Sequence, residues 1–189
     1  MPFLIAGVLF WSFTHFLPSV LPGLRARLIE RFGAGPYKGL FSLDIVIALT
    51  LIIVGWRSAE VVPFYAPPLT AGPWVLVLML ISIILFVGSR MPTNIKRRIR
   101  HPQLTAVIAW SLAHLLSNGD TRSVVLFGGL GLWAILEILM INRRDGAWVR
   151  PQAVPLNRDL LTLLLGGVMF AALVYFHGDL FGPSLLGSF

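Results

Sequence analysis

Six apolar stretches, most of them about twenty residues long, leave this chain few ways to fold, since roughly 20 apolar residues carry a helix across a bilayer. They run at about 2–22, 39–57, 73–91, 103–117, 123–142 and 159–177. Hydrocarbon offers the backbone no partners, so a spanning segment must be a helix or part of a closed barrel. The alternating pattern of a barrel is not seen. The expected fold class is all-α integral membrane: a bundle of six transmembrane helices forming a single domain over 1–189. The segment at 103–117 is short and is expected to be tilted or screened by its neighbours.

Composition agrees. Hydrophobic residues make up 57% of the chain and charged residues 12%, where a soluble domain carries about 25% charged. There are no cysteines, which excludes disulfides, thiolate ligands and a thiol switch. The net charge of +7 lies between apolar stretches and not on one soluble face, so no nucleic-acid partner is expected. Met1 leads straight into PFLIAGVLFW with no basic n-region, and the first segment is expected to be a retained helix.

Charge sets the expected orientation. Arg25, Arg27, Arg31 and Lys38 lie in the first connection, and Arg90, Lys96, Arg97, Arg98 and Arg100 in the third. Arg143, Arg144, Arg150 and Arg158 lie in the fifth. Only Arg57 and Arg122 of the 15 Lys and Arg residues fall in the other two. The positive-inside rule then puts both termini on the non-cytoplasmic side. Between the second and third stretches, Pro63, Pro67, Pro68 and Pro73 forbid helix, while Phe64, Tyr65 and Trp74 suit the headgroup layer. No internal repeat stands out. Gly128, Gly129, Gly131, Gly166 and Gly167 suit close helix packing, and no strand precedes them to support a nucleotide loop.

Polar groups in apolar stretches need a reason to be there. His15, in FWSFTHFLPSV, reads either as a core histidine bonded to a neighbouring helix or as an axial ligand. Pro18 frees the Thr14 carbonyl and can bend the helix beside it. His114 has the same two readings, with Ser111 and Trp110 three and four residues upstream on the same helix face. His15 lies roughly 9 Å and His114 roughly 18 Å from the cytoplasmic ends of their helices. Tilt and the Pro18 bend can absorb that difference. His101 and His114 lie roughly 20 Å apart along a helix and about 220° around it, so these two cannot share one iron. His101 before Pro102 suits a helix start or the headgroup layer, and His177 suits the outer interface. Asp44 and Glu137 are intramembrane acids, for which pairing with arginines such as Arg143 or Arg98 competes with a functional role.

The segment HPQLTAVIAWSLAHLLSNGD resembles the NnrU family of membrane proteins, whose plant and cyanobacterial branch contains a haem b carotene isomerase. FTHFLPS, PGLRARLIERFGAGPYKGLFSL, the NIKRR run and ILMINRR agree, over about residues 1–144. The resemblance implies that His15 and His114 ligate haem b. It also implies either isomerase-like action on an apolar polyene or a redox or accessory role in nitric oxide and denitrification chemistry. The expected location is the bacterial inner membrane. Where the isomerase branch has cysteine, this chain has Ser111, so exchange of imidazole for thiolate cannot occur. Ser111 and Trp110 would line the pocket, and Arg98 and Arg100 would meet the propionates. A second reading is a membrane methyltransferase using S-adenosylmethionine, on the likeness of Gly35–Tyr37 and Arg100–Pro102 to elements of those enzymes. A third is a structural subunit without a cofactor.

Overall fold

A computed structural model describes residues 1–182. Its helices are α1 (Pro2–Val20), α2 (Pro22–Phe32), α3 (Ala34–Ser58), α4 (Gly72–Arg90), α5 (Pro102–Ser117), α6 (Thr121–Asp145) and α7 (Leu156–Phe181). Among the described residues there is no strand, only an isolated bridge between Pro63 and Asp120.

Five of the expected six stretches are long and apolar enough to cross a membrane. The exception is α5, with 16 residues. Pro102 fixes its start, and Asn118-Gly119 follow its end. A helix not expected from the apolar count, α2, fills the first basic connection. Leu21 leaves helical geometry and Pro22 opens the new helix, where its missing N–H is no loss. Gly33 ends α2 at φ 88°, a conformation that strains any residue with a Cβ. Helix α3 therefore starts at Ala34, five residues before the stretch expected at 39. Pro36 is tolerated because it lies in the first turn.

The chain forms two compact units. The first holds residues 1–66 and 118–147, the second 67–117 and 148–182. In the first unit α1 and α3 run antiparallel with backbones in close approach. A methyl at Gly55 would run into the backbone of Leu4, and one at Gly7 would lie 2.7 Å from the Ile52 nitrogen. Small residues at such crossings replace the hydrophobic drive that lipid does not supply. Leu4, Val8 and Ile52 form the core there, and Gly129 brings α6 against Val8.

The segment before α6 is stitched to the end of α3. Phe64 and Tyr65 amides both donate to the Gly119 carbonyl, and Thr121 N donates to Val62. Asp120 caps α6 by accepting from the Ser123 amide at 3.0 Å and hydroxyl at 2.7 Å. Just beyond, residues 124–128 widen into a π-helical turn, a feature that shifts the helix register by one residue.

In the second unit α4 packs against α5 and α7. Ser82 of α4 donates to the Ala106 carbonyl of α5 at 2.8 Å, and Gly166 of α7 admits Ile84. A polar knot closes one end of it. Asp159 accepts from the Thr93 hydroxyl and from the Asn94 amide and side chain. Asn94 also exchanges hydrogen bonds with the Val154 backbone. The first residue of the NIKRR run is thus a staple between the end of α4 and the start of α7.

The helices expose their apolar side chains. Phe13 is 66% exposed, Leu139 59% and Leu164 63%. In water such surface would drive association, whereas in lipid it is the matching surface. With strand absent among the described residues and apolar flanks on long helices, the molecule is an integral membrane protein.

Candidate functional site

His15 lies on α1 inside an aromatic cage of the first unit. Its Nδ1 donates to the Trp11 carbonyl at 2.9 Å, because a carbonyl oxygen can only accept. That bond puts the proton on Nδ1 and leaves the ring's lone pair on Nε2, the arrangement of a histidine ready to ligate. The Trp11 ring lies 4.2 Å from the imidazole between centroids, Trp133 of α6 5.0 Å and Phe41 of α3 5.6 Å. One turn along each helix, Ser19 donates to Glu137, which is only 6% exposed. Glu137 is therefore tied across the helix pair, and Asp44 is half-buried on α3.

Two donors in the cage lack an acceptor. The indole N–H groups of Trp11 and Trp133 are buried without a hydrogen-bond partner. Buried donors nearly always find partners, and an orphan asks for an explanation such as an absent ligand. A neutral imidazole, flat aromatic walls and two unmatched N–H donors are chemically suited to a planar apolar ring that carries a metal.

His114 lies on α5, in the second unit. Its Nδ1 donates to the Trp110 carbonyl at 2.9 Å, and the two rings lie 5.0 Å apart. The same tautomer follows. Ser111 is 2% exposed and its hydroxyl has no partner. His177 of α7 belongs to the same unit. Arg98 is exposed and Arg100 half-buried. Both precede α5, roughly 20 Å along its axis from His114. His101 stands at the start of α5, where its carbonyl accepts from the Thr105 amide and hydroxyl, each at 2.9 Å. The structure thus brings Arg98, Arg100, Trp110, Ser111 and His114 into the second unit, while His15 belongs to the first.

The two histidine sites share a local pattern too short to make a repeat of the whole chain. Trp11-Ser12-Phe13-Thr14-His15 and Trp110-Ser111-Leu112-Ala113-His114 both read Trp-Ser-x-x-His. Each sits in a helix, with the ring nitrogen bonded to the tryptophan carbonyl four residues back. A signal for it was present in the sequence, as a ten-residue match (Val8–Leu17 against Val107–Leu116) in the surrounding apolar positions. Trp133 was not found from sequence, because nothing in α6 marks which of its residues faces His15. Among the described residues no group of three or more His, Asp or Glu side chains could hold a metal ion.

Comparison with known proteins identifies the chain. The profile of the NnrU protein family matches residues 3–185, nearly the whole length, and the chain belongs to that family. No curated protein and no solved structure matches it.

Proposed function

We propose that this NnrU protein binds haem b in the membrane through the Nε2 atoms of His15 and His114. The observation that supports the reading is the shared geometry of the two Trp-Ser-x-x-His turns, which fixes in both rings the tautomer with its lone pair on Nε2. The unmatched indole donors beside His15 support it as well. When bound, the group would supply a redox-active iron.

The chain's own residues orient and insulate. Trp11 and Trp110 hold the imidazoles through their carbonyls, and Trp133 and Phe41 wall one ring. Ser111 places a hydroxyl in the second turn and the chain has no cysteine, so the second turn would hold the group through the His114 imidazole and not through a thiolate. That fits a redox or accessory factor of nitric oxide metabolism as well as an isomerase acting on an apolar polyene. Arg98 and Arg100 are headgroup-level cations able to meet carboxylates directed to that end of α5.

On this reading the protein forms one domain of six spans in the bacterial inner membrane, with both termini non-cytoplasmic. Helix α5 is the short span, about 24 Å at 1.5 Å per residue, and it packs on α4.

The test is the absorption spectrum of the full chain purified after expression with ample haem. The expected result is a Soret band, with α and β bands resolved on reduction. A colourless protein overturns the proposal.

A further inference from the structure

A cavity of about 650 Å³ opens at the charged end of the first unit, lined by Pro18, Pro22, Arg25, Tyr37, Lys38, Phe41, Ser42 and Arg144. Three features set it apart from the rest of the surface. Its cations come from different elements: Arg25 from α2, Lys38 from the start of α3 and Arg144 from the end of α6. Arg144 is matched by Asp145 at 2.7 Å and also donates to the Pro18 carbonyl at 3.3 Å. Among the described residues Arg25 and Lys38 have no acid within ion-pair distance, and Arg25 lies over the Tyr37 ring at 5.9 Å. The Tyr37 hydroxyl is buried with no hydrogen-bond partner. The remaining wall, from Pro18, Pro22 and Phe41, is apolar.

Unmatched positive charge, an orphan hydroxyl donor and an apolar wall together fit an anionic head on an apolar body. Its place argues for the source. The cavity lies where α1 and α6 end and α3 begins, the level at which lipid phosphates sit. Helix α2, which has no buried residue, forms one border. It carries Leu24, Leu28 and Phe32 at four-residue spacing and Arg25, Arg27 and Arg31 between them. That is the pattern of a helix lying in the interface of an anionic leaflet. We infer that this cavity is a binding site for the phosphate head of an acidic phospholipid, held by Arg25 and Lys38 with Tyr37 as a further donor. The inference does not rest on haem: none of Arg25, Lys38 and Tyr37 is a proposed iron ligand, and of the lining only Phe41 also walls His15.

The experiment uses the full chain in nanodiscs of phosphatidylcholine with a minor fraction of phosphatidylglycerol. Lipid retained after extraction into detergent is counted by native mass spectrometry. About one acidic lipid per chain is expected, in His15→Ala as in the native protein. The Arg25→Gln/Lys38→Gln double variant should retain it about twenty-five-fold less tightly, from two cations contributing about fivefold each. Arg57→Gln, at the end of α3 away from the cavity, should leave retention unchanged; Lys38→Gln alone serves if the double variant does not fold. Three results overturn the inference: equal retention of phosphatidylcholine, displacement of the lipid by inorganic phosphate at low millimolar concentration, or unchanged lipid in a folded Arg25/Lys38 variant whose Soret band shifts. The last would assign the cavity to the haem carboxylates.

Discussion

The two Trp-Ser-x-x-His turns carry the same local chemistry in different surroundings. Around His15 the serine is satisfied, Ser12 donating to the Val8 carbonyl at 2.8 Å, while the indole of Trp11 is the orphan. In the second turn it is Ser111 whose hydroxyl is buried without a partner. His15 is walled by rings from α3 and α6, whereas the ring beside His114 is Trp110 of its own helix. Spacing within one helix reproduces the ring tautomer. Everything beyond that helix is set by what packs on it.

The sharpest break of this comparison is ligand stoichiometry. If His15 and His114 serve one iron, His15→Ala and His114→Ala should each abolish the native Soret spectrum, while His101→Ala leaves it intact. Loss of half the absorbance in each single variant would instead give each turn its own haem, and retention of the full spectrum in either would remove that histidine from the site. Pyridine haemochrome titration against protein concentration reads the difference.

Packing should separate the units next. Gly55→Ala places a methyl against the Leu4 backbone, which cannot swing aside. A loss of about 2–3 kcal/mol is expected, within the range for overpacking. Gly166→Ala meets mainly the Ile84 side chain and should lose about 1 kcal/mol, whereas Gly167→Ala, with open space around it, should be neutral. Thermal unfolding in detergent ranks the three, and a Gly55 variant as stable as the Gly167 variant would contradict the close crossing of α1 and α3.

The smallest effect tests the serines. Ser111→Ala removes an unmatched buried hydroxyl and should raise the stability of haem-free protein by about 1 kcal/mol, whereas Ser12→Ala removes a satisfied bond and should lower it by about the same or less. A Ser111→Ala variant less stable than native would show that its hydroxyl already has a partner.

Much of this was legible before any fold. The apolar stretches located five spanning helices closely, and α5 was placed to within a residue at 103–117 because proline and Asn-Gly punctuate it. Gly129 and Gly166 are at close crossings, as the glycine clusters implied, while Gly128 and Gly167 meet little. Helix α2 was hidden because its hydrophobic period, at Leu24, Leu28 and Phe32, is embedded in a basic run that reads first as a topology signal. The role of Asp159 is hidden for a similar reason: an acid near a helix start has no marked partner until Thr93 and Asn94 arrive from another part of the chain.

By itself the sequence determined that this is a helical membrane protein, where its spans fall, and that two imidazoles sit in apolar helices with fixed local partners. Those properties depend on hydropathy and on contacts four residues apart, which any helix delivers. Only the tertiary structure decided that α6 joins α1 and α3, that Trp133 walls His15, that Ser19 meets Glu137, and that Arg25, Lys38 and Arg144 share a cavity. Each of these joins residues far apart in the chain, and which helix faces bury against one another is set by the close crossings at Gly7, Gly55 and Gly129, not by any pattern within a single helix.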